Sequence, residues 1–158
     1  IPGRTGINMS AETVLTLAEH KNIIGIKEAS CIIEQCMEIA YHKPEDFLLI
    51  SGDDVQAVPI ISIGGVGVMS VIANAFPSQF TQMIHAALQG DYKTAQKALA
   101  AFLTIDPYLY EEGNPVGVKK ILALKGLIQA QVRMPLAEAS EGLGQKLNEI
   151  INQVKLSN

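Results

Sequence analysis

Three short apolar runs, each followed by a helical pattern, constrain this chain more than anything else in it. Ile23-Ile24-Gly25-Ile26-Lys27, Phe47-Leu48-Leu49-Ile50-Ser51 and Val66-Gly67-Val68-Met69-Ser70-Val71 read as strands. The second is apolar along most of its length, as a strand covered on both faces must be. Strand and helix alternate in units of about 20 to 25 residues, which predicts parallel βα units and an α/β fold. A complete eight-unit α/β barrel needs about 250 residues. The 158 residues here exclude one. The first segment, Ile1 to Gly6, reads as a loop leaving an element that is not in the chain, so the chain is expected to begin in mid-domain.

Local signals place the helices. Ser10 is a candidate N-cap, with Glu12 in the first turn and Val14, Leu15, Leu17 and Ala18 as the apolar positions. Ser30 is expected to cap a helix carrying Ile32, Ile33, Cys36, Met37 and Ala40, stopped before Pro44. Asp53 or Asp54 is expected to open a helix running to Ile63, and Ser78 another. From about Gly90 the strands cease. Asp91 caps a helix through Ile105, and Pro107 and Gly113-Asn114-Pro115 are expected to break the next stretch. Val116 to Ile128 and Leu136 to Val154 read as helices, with Pro135 in the first turn of the last. Leu143, Leu147, Ile150 and Ile151 align on its apolar face. The expected division is therefore 1–89, an α/β part, and 90–158, an all-helical part.

Composition removes several function classes. Twelve Lys and Arg against sixteen Asp and Glu, a net charge of −4, leave no basic stripe for nucleic acid. The most apolar stretch, Ala57 to Ala73, is interrupted by Pro59, Gly64, Gly65 and Gly67, so no membrane span is expected. Cys31 and Cys36 fit no zinc spacing, and His20, His42 and His85 are scattered, so neither a metal nor another cofactor is expected. The thiols read as buried or half-buried groups in a reducing cytoplasm. Charged residues make up 18%, below the roughly one quarter of an average domain. That shortfall points to surface covered by another subunit or by more of the same polypeptide.

Lys27 carries the chemistry. It ends a strand of Ile and Gly, and period two places it with Gly25 opposite Ile24 and Ile26. Active sites of α/β barrels lie at the C-terminal ends of the strands. A lysine amine facing an apolar interior loses stabilisation of its charged form and becomes a nucleophile for a carbonyl carbon. The alternative is a lysine that reaches water or pairs with Glu28. Arg4, flanked by Gly3 and Gly6, can grip a carboxylate, or can simply be a surface arginine in a turn. Gly65-Val66-Gly67 is not a dinucleotide fingerprint, because it opens a strand instead of following one. Lys119, Lys120 and Lys125 read as a solvated helix face.

In order and spacing, Pro2-Gly3-Arg4-Thr5-Gly6, Gly25-Ile26-Lys27-Glu28-Ala29-Ser30, Ser51-Gly52-Asp53-Asp54 and Gly67-Val68-Met69-Ser70-Val71 resemble the motifs of the dihydrodipicolinate synthase family. Asn114-Pro115-Val116-Gly117-Val118-Lys119 is similar to a further stretch of that family. The resemblance implies a TIM (β/α)8 barrel, of which this chain carries the C-terminal portion of about three βα units plus a helical extension. It also implies a class I aldolase-type lyase of lysine and diaminopimelate biosynthesis. Lys27 would form a Schiff base with pyruvate, and Arg4 would bind the carboxylate of the second substrate, aspartate 4-semialdehyde. Gly52 and Asp53 would lie near that substrate, and the Met69 carbonyl beside the lysine. A homo-oligomer, tetramer or dimer, is implied for the full-length protein.

N-acetylneuraminate lyase shares the lysine but generally lacks the arginine of the Gly3-Arg4-Thr5 loop, and other 2-keto-3-deoxy-acid aldolases share the lysine as well. A non-catalytic α/β interaction module is the reading from another class. The family's proton-relay tyrosine would precede Ile1, its paired threonines belong to the first half of the barrel, and Tyr41, Tyr92, Tyr108 and Tyr110 do not stand in for it. Cys31 and Ile32 replace a Gly-Asp pair common in the family.

Overall fold

The Ser10 hydroxyl accepts the Thr13 N–H at 3.3 Å and opens helix α2, Ala11–Ala18, which buries Ala11, Val14 and Ala18 while Leu17 stays exposed. Ahead of it, Pro2–Thr5 forms a single helical turn, α1. The expected loop is helical because Pro2 presets the backbone at the first position, and Gly6, at φ 71°, closes the turn in a conformation that favours glycine. The structure, a computed structural model, describes residues 1–155.

After α2 come β1 (Gly25–Glu28), α3 (Ile33–His42), β2 (Leu48–Ser51), α4 (Ala57–Ser62) and β3 (Gly67–Val68). The helices α5 (Ile72–Ala75), α6 (Pro77–Leu88), α7 (Tyr92–Tyr110), α8 (Val116–Leu124) and α9 (Glu141–Lys155) complete the order. The strands form one parallel sheet in the order β1-β2-β3, with Lys27 opposite Ile50 and Ile50 opposite Gly67. Gly25 permits the pairing, since a Cβ there would lie 2.6 Å from the Leu48 carbonyl oxygen.

The residues divide into two compact units, Ile1–Ser70 with Ile84–Ala95, and Val71–Met83 with Gln96 onward. In the first, Ala11, Val14, Ala18, Cys36, Ile39, Phe47, Leu49 and Ile60 form one core, with Ile26 packed on it. Ile26 and its partner Leu49 therefore face the helices. Lys27, Ile50 and Gly67 take the opposite face.

In the second unit the Phe102 ring lies 5.4 Å from Phe80 and 6.2 Å from Phe76, both tilted by 59°. Leu109, Ile121, Leu143 and Leu147 are buried with them. Gly117 lets α8 approach α7, because a Cβ there would stand 2.6 Å from the Leu109 Cα.

Several boundaries differ from the sequence reading, each for a local reason. Ser30 does not cap α3. Its hydroxyl accepts the Ile32 N–H at 3.1 Å, and the helix starts after Ile32. Asp53 accepts the Val55 and Gln56 N–H groups at 3.0 and 2.9 Å, forming a turn that delays α4 to Ala57. β3 spans two residues where six are expected, and α5 was not foreseen. Pro77, not Ser78, begins α6.

Pro107 lies inside α7. Its missing N–H leaves the Leu103 carbonyl without a helical partner, and Leu103 is exposed, so water can serve it. Asp91 does cap α7, accepting the Thr94 N–H at 3.1 Å. α8 ends at Leu124, and Pro135 precedes α9 instead of sitting in it, because Ser140 supplies the cap by accepting the Leu143 N–H.

The three lysines are not a purely solvated face. Lys119 donates to the Gln131 carbonyl, and Lys125 donates to the Ala75 carbonyl with its ammonium 3.8 Å from the Phe76 ring centre. Cys31, read as buried or half-buried, is exposed in the β1–α3 connection, where its φ is 62°; Cys36 is buried.

Candidate active site

Lys27 sits half-buried at the C-terminal end of β1, on the face opposite the helices. Its stem passes Gly52, the first residue beyond β2. A Cβ at Gly52 would stand 2.9 Å from the Lys27 Cε, 2.8 Å from the Ala29 Cβ and 3.1 Å from the Glu28 carbonyl oxygen. Gly52 is thus the floor of a slot that holds the lysine stem. The Gly52 N–H donates to the Glu28 carbonyl at 2.6 Å and draws the exits of β1 and β2 together.

Three of the other residues singled out in the sequence gather at the same strand ends. Asp53 follows Gly52 and holds its position through its own N–H, which donates to the Ser51 hydroxyl at 3.2 Å, and through its carbonyl, which accepts that hydroxyl at 2.7 Å. Its second carboxylate oxygen accepts from the Cys31 thiol at 3.5 Å. Met69, 53% exposed, donates its N–H to the Ser51 carbonyl at 2.9 Å. Lys27, Gly52, Asp53 and Met69 therefore occupy the exits of three adjacent strands. Arg4 stands apart, exposed in α1, and no hydrogen bond or ion pair among the described residues ties its guanidinium to this group.

The ion pair of Lys27 with Glu28, the alternative raised by the sequence, is not formed. Glu28 points to the other face, where it accepts the Ser30 N–H at 2.5 Å and the Gln35 side-chain amide at 2.8 Å. Among the described residues, no hydrogen bond or ion pair occupies the Lys27 amine. A primary amine in a defined slot, with no carboxylate bound to it, can attack a carbonyl carbon once it gives up its proton.

The sequence reading missed the wall formed by Ala29 and the support formed by Glu28, Gln35 and Asn8. The available signal was a glutamate beside the lysine on an otherwise apolar strand, since such a group is buried only with partners. Burial raises the Cys36 thiol from its ordinary 9.0 to about 11, with the Glu28 and Cys31 charges adding to the effect. That cysteine is a core group, not a nucleophile. Among the described residues, no group of three or more His, Cys, Asp or Glu side chains converges as a metal site.

Comparisons with known proteins identify the family and the fold. The profile of the dihydrodipicolinate synthetase family matches residues 1–154. A 4-hydroxy-tetrahydrodipicolinate synthase of Cytophaga hutchinsonii is 51% identical over 94% of this chain and 50% of its own length. That of Phocaeicola vulgatus is 46% identical over 99% of this chain and 53% of its own. The crystal structure of dihydrodipicolinate synthase from Aquifex aeolicus superposes with a TM-score of 0.93 at 32% identity, over 99% of this chain and 54% of that one. The Thermotoga maritima structure gives 0.94 at 32% identity over the same shares.

The chain thus spans about half the length of the relatives it matches. Its three parallel strands are a portion of their TIM barrel, here with about three βα units and a C-terminal helical extension. By family profile, by identity and by fold, the chain belongs to the dihydrodipicolinate synthetase family.

Proposed function

We propose that this chain is the lysine-bearing, C-terminal part of a 4-hydroxy-tetrahydrodipicolinate synthase, with residues 1–89 contributing to the barrel and 90–158, of which 156–158 lie outside the described residues, assigned to the helical extension. The observation that carries the reading is the Lys27 amine, set in its slot at a strand exit and engaged by no carboxylate among the described residues. In this reading the unprotonated amine attacks the keto carbon of pyruvate, and the carbinolamine loses water to give an imine. Loss of a methyl proton gives the enamine, whose carbon attacks the aldehyde of aspartate 4-semialdehyde. The product then cyclises, and the lysine is released.

In this reading Gly52 and Asp53 would lie near the second substrate, and the Met69 carbonyl near the lysine. Arg4 takes the carboxylate of the semialdehyde through its planar pair of donors. Its presence favours the synthase over N-acetylneuraminate lyase. The reading is of a cytoplasmic enzyme that needs no metal or organic cofactor and acts as a homo-oligomer in its full-length form. Among the described residues no helix is long and apolar enough to cross a membrane.

A polypeptide of these residues alone is expected to turn over slowly or not at all, because it spans about half the length of the relatives it matches. Borohydride reduction of the full polypeptide with pyruvate, followed by peptide mapping, is expected to place a stable adduct on Lys27. An adduct elsewhere, or none, overturns the assignment. Arg4→Ala is expected to raise the KM for the semialdehyde while leaving pyruvate trapping unchanged.

A further inference from the structure

Lys27 has a neighbour whose burial the chemistry above does not use. Glu28 is 6% exposed, and period two turns its side chain to the helix-covered face of the sheet, away from the lysine amine. A carboxylate in such a place is costly unless its oxygens are occupied. Both are. Oε1 accepts the Ser30 N–H at 2.5 Å, and Oε2 accepts Gln35 Nε2 at 2.8 Å.

Gln35, in the first turn of α3, is itself oriented. Its Oε1 accepts from Asn8 Nδ2 at 2.8 Å, and its Nε2 lies 3.4 Å from Asn8 Oδ1. The series runs from the segment before α2, through α3, to the residue beside Lys27. Its effect falls on the β1–α3 connection. Ser30 is held by the carboxylate, and Ala29, between Glu28 and Ser30, is the residue whose Cβ closes the slot against Gly52.

We propose that Glu28 is a positioning residue for Lys27: bound by Ser30 and by the Asn8-oriented Gln35, its carboxylate sets the turn that keeps Ala29 against Gly52 and thereby aims the amine. This rests on Lys27 being the Schiff-base lysine. Positional control of a nucleophile is worth much in rate, because a displacement of about 1 Å can cost as much as about a hundredfold. Glu28 touches neither substrate nor amine, so its loss acts on the rate of imine formation and not on pyruvate affinity.

The test reverses a hydrogen bond in the full polypeptide that carries this chain. In Glu28→Gln the new amide keeps one acceptor for Ser30 but presents an NH2 group to the Gln35 NH2 group. Adding Gln35→Glu restores the pair with donor and acceptor exchanged, and leaves Asn8 Nδ2 an acceptor. Borohydride trapping with pyruvate is measured against concentration, per molecule folded by near-UV circular dichroism. E28Q is expected to slow trapping at saturating pyruvate by about tenfold or more, with the apparent KM within about twofold. The E28Q/Q35E protein is expected to recover to within about threefold of the parent.

Amide exchange at Ser30 is expected to quicken in E28Q and slow again in the double variant. Parental trapping by E28Q, or no recovery in the double variant, overturns the positioning role while leaving the Schiff-base assignment intact. Failure of the unsubstituted protein to trap at Lys27 overturns both.

Discussion

Replacing Gly52 with alanine probes the geometry on which the site depends. The added Cβ would stand 2.8 Å from the Ala29 Cβ and 2.9 Å from the Lys27 Cε. Carbon atoms pack best at about 3.5 to 4.0 Å, so each contact is about 0.6 Å or more too close. The Glu28 carbonyl oxygen, 3.1 Å away, blocks retreat on the third side. Lys27 Cε belongs to a flexible stem and can move. The Ala29 Cβ is part of a turn fixed by hydrogen bonds to Glu28 and cannot move alone.

Overpacking of this kind costs about 1–3 kcal/mol. Gly52 has no left-handed φ, so alanine suffers no backbone strain and gains about 0.4–1 kcal/mol from the unfolded chain. The net loss is about 1–2 kcal/mol, a fall of roughly 2–8 °C in melting temperature. Pyruvate trapping, corrected for the folded fraction, is expected to fall by about tenfold or more, because relief comes by displacing the amine. Gly67→Ala is the matched control. It lies on the same sheet face, its Cβ would meet nothing within 4 Å, and both stability and trapping are expected to hold. Parental melting and trapping in Gly52→Ala, or equal losses in both variants, would refute the slot.

Other outcomes follow from the same packing. Gly117→Ala drives a Cβ into Leu109 backbone at 2.6 Å, and its loss of about 1–3 kcal/mol or more is read in urea midpoints. With a chromogenic disulfide, the native chain is expected to show one fast thiol, Cys31, and the second only on unfolding. Because burial raises the Cys36 thiol to about 11, its contribution to stability is complete below its ordinary 9.0 and is lost as pH rises from there toward 11. Cys36→Ala is expected to flatten that alkaline decline.

Glu112 behaves in the opposite sense. The Ser140 hydroxyl and N–H, with Lys146 adding less, hold its carboxyl below the ordinary 4.5. Its contribution is present above that range and disappears as pH falls through the lowered value, so acid titrations of Glu112→Gln are expected to be shallower.

Much of the fold was legible because it is written in local signals. The spacing of β-branched runs specified parallel βα units, and period two put Lys27 and Ile26 on opposite faces. Ser10 and Asp91 announced their helices, since a cap acts on an N–H three residues away. The candidate site was legible in its residues for the same reason: a lysine ending an apolar strand is unusual wherever it occurs. Glu28 was not, because only the surroundings of its carboxylate show why it can be buried.

What the sequence by itself determined was the alternation of strand and helix in the first half and the place of Lys27 at the end of an apolar strand. Tertiary structure decided how the chain uses groups that look alike one at a time. Lys125 and Lys119 read as solvent-facing, yet each donates to a carbonyl, in the case of Lys125 one that lies 50 positions away along the chain. Pro107 reads as a helix breaker and is carried inside α7 because an exposed turn tolerates the missing bond. Glu28 and Lys27, adjacent in sequence and opposite in charge, do not pair, because alternation sends one to Ser30 and Gln35 and leaves the other in its slot. Partners that stabilise a polar group are chosen by distance in space, and sequence separation does not encode it.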